Sequence, residues 1–485
     1  MIRRPSRSRT TRAALAGLLA AAAVLAPAAS APATTTAAYD PAIGTATQLF
    51  LDDYRTASAT NVGRVVHPAR KDGVVLGPDR PWESNNAYVY GTAIHDAKAG
   101  LFKLWYQAYD RTTSTYFMCY ATSRDGRHWR KPDLGVHDYG GSTANNIVGD
   151  MHSATVVKDD RDPDPARRYK MLGMSYGSGY AVWFSPDGVR WTPSPANPVL
   201  PDGDVANVTY DPATKRFLAV TKHPDGGRRT AFLSTSTDFV HWSAPQVTLR
   251  ADQRDQDEAV ARGFENAQVY GMPILPYKGA YVGLPWIFSY GGAGAPGTYG
   301  DGPVETQLAF SRDLTEWNRD DRAVVIPRGA AGAFDSGMTF TAGDVIVRGG
   351  RIWLYYGGWD GLHGSTTRGA SIGLASWRED GFVSEHAAGA GVLTTKPLVF
   401  RGDRLRVNAD FTAPGARLRV EVLGADGRPV PGLGTSAPVT GDRLDAVVRW
   451  PHGADLGRLA GRQVRLRFHV TRGDLYAYRF TGPDR

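Results

Sequence analysis

The pattern Ser-x-Asp-x-x-x-Trp occurs four times with unchanged internal spacing, at Ser123, Asp125 and Trp129; Ser185, Asp187 and Trp191; Ser236, Asp238 and Trp242; and Ser311, Asp313 and Trp317. A fifth, degraded copy reads Ser376, Asp380 and Phe382. Each full copy follows an apolar, β-rich stretch, at 116–121, 181–184, 231–233 and 307–310. The pattern reads as a hairpin: Ser ends one strand, Asp and often Gly make the turn, and Trp packs over it to open the return strand. One copy would carry no weight, but copies at intervals of roughly 50 to 75 residues mark repeated units of about four strands, the spacing of propeller blades.

Two further strands precede each hairpin, most legibly around the turn Arg348-Gly349-Gly350-Arg351. Helical periodicity is absent beyond the N-terminal segment, so the fold class expected is all-β. The repeats place blades at 83–138, 145–200, 204–250, 264–328 and 335–388, with 47–76 wrapping on to close the ring. The expected organisation is a five-bladed β-propeller catalytic domain over 47–395 and a small β-sandwich over 396–485, where short alternating strands such as Val464, Leu466, Phe468 and Val470 replace the blade texture. Packing against the propeller is the favoured role for the sandwich.

Residues 1–31 carry five arginines, then an apolar run rich in Ala, then Ala29-Ser30-Ala31, the three regions of a secretory signal peptide. Residues 32–46 read as a flexible linker, and the mature chain is expected to be exported, with no membrane attachment. The formal net charge of +8 falls to about +3 once those unopposed arginines are removed. No Lys/Arg-rich tract follows, so nucleic acid is an unsuitable partner. The single cysteine, Cys119, rules out an internal disulfide and reads as a buried, inert thiol.

In a propeller the innermost strands line a central channel, so residues where those strands start, and in the loops joining second to third strands, converge on one face. The inner-strand starts offer Glu83 with Asn86, Asp150 with His152, Asp204 with Asn207, Glu265 with Gln268, and Asp335. The loops add Gln107, Tyr109 and Asp110, then Tyr176, Lys222, His223, Trp286, Trp359, Asp360 and His363. Aromatic faces and hydrogen-bonding groups suit a sugar, although Trp286 fits the core equally well. Paired carboxylates suit glycosidic cleavage, in which one protonates the leaving oxygen and another acts as nucleophile or activates water. The expected partner is therefore a carbohydrate. No cofactor is required, though inward oxygen ligands would suit Ca2+ in the channel. Arg161-Asp162-Pro163 is set aside as a Pro-fixed turn between first and second strands, at the opposite face.

Over residues 49–395 the chain resembles the five-bladed propeller superfamily of glycoside hydrolase families 32 and 43. The segment from Asp204 through Tyr210-Asp211-Pro212 is similar to that family's stabiliser segment, and Phe264-Glu265-Asn266 to its general-acid segment. The resemblance implies Asp204 as transition-state stabiliser, Glu265 as general acid and Asp150 as nucleophile or base, with Glu83 or Asp335 as replacements for Asp150. A furanoside such as arabinan or fructan is the favoured substrate. The family's Trp-x-Asn-Asp-Pro-Asn-Gly box is absent. Three alternatives stay open: a sialidase-like exo-glycosidase, for which the inner-strand starts offer no Arg; an inverting phosphorylase, for which only Lys222 and His223 qualify as phosphate ligands; and a non-catalytic carbohydrate-binding propeller.

Overall fold

The computed structural model describes residues 39–175, 177–291, 301–453 and 455–482. The expected signal peptide, residues 32–38 of the expected linker and Tyr176 lie outside the described residues. From Pro41 onward the chain forms one compact unit. It is nearly all-β: among the described residues the only α-helix is Gln253–Ala261, and no helix is long and apolar enough to cross a membrane.

Antiparallel sheets succeed one another along the chain in a propeller-like arrangement. The first runs Ala87–Asp96, Leu101–Asp110, Thr115–Ser123, with Trp129–Arg130 and Ile147–Gly149 on the outer side. The second is His152–Lys158, Tyr169–Ser175, Gly179–Ser185 and Thr192–Pro193. The third is Ala206–Asp211, Arg216–Asp225, Arg228–Ser236 and Gln246–Leu249. Next, Asn266–Gly271 pairs with Trp286–Tyr290, then Val304–Gln307 and Val324–Ile326. The outer half of this unit is a separate three-stranded sheet, because Pro273 and Pro285 interrupt its strands and have no N–H for the ladder.

A single parallel pairing, Val304 with Met338, joins that sheet to Met338–Thr341, Arg351–Trp359 and Ala370–Arg378. The last of these takes Arg70–Leu76 as its outer neighbour, so an early strand completes a late sheet. Of the expected wrapping segment 47–76 only this strand does so, since Gln48–Leu49, Thr56–Thr60 and Gly63–Val66 pair with Gln463–Thr481 or Val383–Thr395 instead. Inner strands touch directly around the axis. Gly343 N–H donates to Gly91 O at 2.9 Å, Val156 N–H to Thr92 Oγ1 at 2.9 Å, and Thr155 Oγ1 to Ala206 O at 2.9 Å. Gly91 is required there: a Cβ would stand 3.1 Å from Ala154 O and closer still to Trp105 O.

The four hairpins are built alike. Each Ser Oγ donates to the Asp two residues on at 2.9–3.2 Å and accepts from the backbone N–H three residues on at 2.8–2.9 Å. Each Asp Oδ1 accepts two further N–H groups, such as Val240 and His241 for Asp238 at 2.9 and 2.8 Å. The residue after Asp has a positive φ even where it is not glycine, as at Phe239 and Leu314, both φ 70°. The hydrogen bonds around Ser and Asp hold this left-handed turn in place of a glycine.

The remaining chain builds a ten-stranded sheet around Gln463–Thr481. Its core includes Leu405, Val407, Leu418, Val420, Phe468 and Tyr478, with Phe400 and Phe480 stacked at 3.8 Å. The boundary expected at 395/396 is displaced. Val383–Thr395 pairs with Gln463–Thr481, and Thr56–Thr60 and Gly63–Val66 pair with Val383–Thr395 in turn. Period-2 alternation marks a strand but not the sheet it joins, which is why the boundary fell late.

Candidate functional site

Asp204 opens the third sheet at one end of the channel, on a turn that Gly203 allows to run close to its neighbours. A Cβ at Gly203 would lie 2.7 Å from Lys222 O. The Asp204 backbone N–H donates to Tyr180 Oη at 2.9 Å, and Tyr180 in turn donates to Val205 O at 2.9 Å. The side chain, about a third exposed at 32%, forms an ion pair with the buried Lys222 ammonium. His152 Nδ1 stands 3.4 Å from the other carboxylate oxygen. Lys222 Nζ also lies 3.6 Å from the centre of the Tyr270 ring. Tyr116 packs on His152 with centroids 4.3 Å apart, and Tyr270 Oη meets His363 Nε2 at 3.1 Å.

Charge states follow from these contacts. Burial acts to raise the Asp204 pKa, but the Lys222 ammonium and His152 outweigh it and hold the carboxyl at about 2. Burial lowers Lys222 to about 8 although Asp204 opposes this, and burial brings His152 down to about 4 against the same pull. At neutral pH the set is a carboxylate, a protonated lysine and a neutral imidazole. Burial drives the Tyr116 phenol up to about 12. Tyr270 is raised further, again chiefly by burial.

Of the acids expected to ring the channel, only Asp204 joins this set. Glu83 is fully buried and saturated: it accepts from Asp79 N–H at 2.7 Å, Arg80 N–H at 3.0 Å and Tyr106 Oη at 2.6 Å, and pairs with Lys131 at 2.7 Å. Asp335 is bound by Tyr356 Oη at 2.8 Å and by Lys71 at 2.7 Å, which fastens the ring-closing strand. Asp150 is exposed and faces His137 Nε2 at 3.4 Å. Glu265 is exposed just ahead of Asn266–Gly271, with its side chain beside Gly291, and its carboxylate makes no hydrogen bond or ion pair among the described residues. Each of these acids lies in the turn ahead of its strand, so the neighbours of that turn, and not the strand's alternation, decide where the carboxylate goes.

Other expected binding residues hold the scaffold. Gln107 bridges Phe117 O at 2.9 Å, Met151 O at 3.1 Å and Ser153 N–H at 2.7 Å. Asp110 caps its own turn through Thr112 N–H and Thr113 Oγ1 and accepts from Tyr139 Oη at 3.0 Å. Asn86 is buried and donates to Asn85 Oδ1, and exposed Asp360 accepts from Gly369 N–H at 2.7 Å to close the loop before Ala370–Arg378. Trp286 is core, stacked on Tyr90 at 5.6 Å with its Nε1–H donated to Thr341 Oγ1 at 3.2 Å. Trp359 is buried against Tyr88 at 4.7 Å and Phe340 at 4.9 Å. Asp162 accepts from Lys170 Nζ at 2.7 Å, so Arg161-Asp162-Pro163 is indeed a structural turn. Cys119 is buried, and burial pushes its thiol pKa up.

The rings of Tyr90, Trp286, Phe340 and Trp359 pack together in one buried cluster. Among the described residues no group of three or more His, Cys, Asp or Glu is placed to hold a metal ion, so the oxygen ligands that would suit Ca2+ do not converge.

Three residues at the site escaped the sequence reading. Arg229 lies just past the hairpin after Lys222, with its Cζ 5.5 Å from the Tyr270 ring centre and Nη1 2.7 Å from Gln268 Oε1. Arg368 ends the loop that contains Asp360 and His363, bonded to Ser365 O at 3.0 Å. Tyr270 sits on an inner strand, beyond its start. Following each second-to-third-strand loop to its far end would have found both arginines.

Two clefts lie elsewhere, one of about 270 Å³ beside Lys278, Asp380, Arg406 and Asp445 and one of about 540 Å³ beside Arg417, Arg419 and His469. Neither contains the Asp204 set, and lysine and arginine ion pairs already occupy the acids of the first.

No family model matches the sequence, and no curated protein does. Among solved structures, the chain is similar to a glycoside hydrolase of the GH130 family of mannoside phosphorylases that targets β-1,2 mannosidic linkages in Candida mannan, at 16% identity and TM-score 0.42, over 65% of this chain and 94% of that one. It is similar to an α-L-arabinofuranosidase from Podospora anserina at 15% identity and TM-score 0.42, over 65% and 98%. It is also similar to an N-acetylgalactosamine deacetylase from F. plautii at 12% identity and TM-score 0.42, over 67% and 97%. A fold does not fix an activity, so function is argued from the site itself.

Proposed function

We propose that this chain is a secreted carbohydrate-active enzyme that hydrolyses glycosidic bonds at the Asp204 end of the channel. In this reading the sheet joined through Val304 and Met338 counts as two blades, giving a five-bladed propeller, and the ten-stranded sheet folds over its own core as a sandwich. The observation that carries the reading is the contact of one ionised carboxylate with a buried, protonated lysine beneath Tyr116, Tyr270 and neutral His152. Aromatic faces receive the C–H face of a sugar, and phenol, imidazole and amide groups satisfy its hydroxyls.

Cleavage builds positive charge at the anomeric carbon and negative charge on the leaving oxygen. Asp204, ionised at any ordinary pH, stabilises the first. The Lys222 ammonium, bonded to Asp204, donates a proton to the second as the carbon–oxygen bond breaks and its electron pair stays with the leaving oxygen. Water then adds to the anomeric carbon and gives up its own proton, which returns to Lys222. Asp150 and Glu265 have no step in this scheme.

The test is incubation of residues 32–485 with arabinofuranosides, fructans, mannosides, galactosides and uronides, followed by product analysis. Release of reducing sugar that Asp204→Asn lowers by 10²–10⁴-fold, on the order of a lost acid–base or electrostatic group, supports the reading. Sugar binding without any bond cleavage points instead to a binding propeller.

A further inference from the structure

We propose that the outward sheet face around Arg419 and His469 is a docking groove for an acidic polysaccharide, a chain carrying one carboxylate per sugar. The groove lies apart from the Asp204 set, and the proposal goes beyond the glycosidic reading without resting on it.

Alternation decides which side chains reach this face. Leu418, Val420, Leu466 and Phe468 are buried in the core of the ten-stranded sheet, so Arg417, Arg419, Arg465, Arg467 and His469 point the other way along Arg417–Gly424 and Gln463–Thr481. Register lines one row up across four strands: Thr60 opposes Val392, Val392 opposes His469, and His469 opposes Arg419. The adjoining rows set Thr471 opposite Arg417 and Arg467 opposite Glu421. Gly391 lets the turn at Asn61 pack directly on the sheet, since a Cβ there would lie 2.6 Å from Val62 Cγ2 and closer still to Asn61 O. Asn61 on one side and Thr435, bridged to Glu421, on the other line the cleft of about 540 Å³ above these rows.

The face holds more positive charge than it neutralises. Arg467 and His469 stand 3.0 and 3.8 Å from the one acid, at Glu421 Oε2. Among the described residues Arg417 donates only to Gly415 O of its own turn, at 3.2 Å, and Arg465 reaches only two carbonyls, Ala425 O and Thr395 O, both at 3.5 Å. Arg419 is exposed and makes no hydrogen bond or ion pair among the described residues. Three guanidiniums thus have no acid partner, and each offers the planar fork of N–H groups that a carboxylate accepts in pairs. The hydroxyls of Thr60, Thr435 and Thr471 and the Asn61 amide, which also line the cleft, suit the hydroxyls of a sugar chain. Nucleic acid and polyphosphate carry denser charge than three cations match. None of the described residues lining the cleft is Phe, Trp or Tyr, the side chains that stack on bases or enter a lipid surface.

Calorimetry on residues 32–485 carrying Asp204→Asn tests this, so that the polymer stays intact and the groove is read whether or not the chain cleaves anything. Polygalacturonate and alginate are each compared with their carboxyl-reduced forms. At least one acid polymer should bind about tenfold or more tighter than its neutral partner, the ratio worth one charge-assisted hydrogen bond. Raising salt from about 50 to about 200 mM should weaken that binding about tenfold, because the pairs formed are exposed. Adding Arg417→Gln and Arg419→Gln together should erase the preference, and Arg419→Lys should keep part of it, since the charge stays and the fork is lost. Arg216→Gln, at an exposed arginine of the third sheet, should leave it unchanged. Circular dichroism checks the fold of each variant. Equal binding of the reduced polymers, no binding of either acid, or unchanged binding by the Arg417/Arg419 variant overturns the inference. Tighter binding of inorganic polyphosphate, heparin or phosphatidylglycerol vesicles does so too, each by naming another partner. Any of these results leaves the hydrolytic reading standing, and a parent chain that cleaves no glycoside leaves the groove standing.

Discussion

Asp204 and Glu265 look equivalent as text, each an acid just ahead of an inner strand with an Asn within the next three residues. Their surroundings separate them, since one carboxylate is paired with a buried lysine and the other stands exposed beside Gly291. Glu265→Gln should therefore leave kcat/KM near the parent value and change stability by no more than about 0.5 kcal/mol, as for surface substitutions generally. A large loss of turnover in a well-folded variant would return Glu265 to the mechanism. Lys222 makes a second prediction. Its proton donor role requires the ammonium form, so kcat/KM should fall as pH rises through about 8. No matching acid limb is expected between pH 4 and 7, because Asp204 stays ionised down to about 2 and His152 gains its proton only near 4. A pH–rate profile read from pH 4 to 10 checks both limbs.

The hairpins explain why one short pattern recurs so faithfully. Ser and Asp side chains there replace backbone partners at a left-handed turn, and the Trp closes over the result. In Asp125 the His128 side chain, and then backbone N–H groups, hold the carboxyl below its usual range. In Asp187, Asp238 and Asp313 burial opposes that shift, but the accepted hydrogen bonds prevail. Because each folded-state pKa lies below the unfolded value of about 3.9, the stability contributed is complete above that pH and is lost as pH falls through the folded values. Unfolding midpoints in urea should thus drop steeply below about pH 4. Ser236→Ala, which removes one donor and leaves the Asp238 and Phe239 N–H groups without their acceptor, should cost about 1–3 kcal/mol. It should also flatten part of that acid slope, since the Ser236 Oγ–H no longer supports the Asp238 carboxylate.

Both ends of the propeller-like unit depend on distant chain. Arg70–Leu76 completes the sheet of Ala370–Arg378, and Val383–Thr395 leaves that sheet to pair with Gln463–Thr481. A chain ending at Lys396 would expose Val383–Thr395 without its longest partner and uncover Leu393. We expect it to aggregate or unfold, whereas 41–485 should be monodisperse by size-exclusion chromatography and melt cooperatively.

How much of this could be read from residue order depends on the range of the interaction concerned. Strands, their turns and the order of the sheets are local: alternation sets each strand, and a Ser and an Asp two positions apart set each hairpin, so the repeat was enough to reveal them. The joining of early chain to a late sheet was legible in part: of 47–76, Arg70–Leu76 pairs with Ala370–Arg378, while the strands over 48–66 pair with Val383–Thr395 and Gln463–Thr481, a choice of partner that alternation does not encode. The site was legible only in part. Lys222, His152 and Asp204 were named as separate candidates, but whether an acid is paired, saturated or exposed depends on side chains from other sheets: Tyr106 and Lys131 for Glu83, Lys71 for Asp335, Lys222 for Asp204. Those partners are far apart in the chain, and burial, which moves each pKa, exists only once the sheets have closed around the axis.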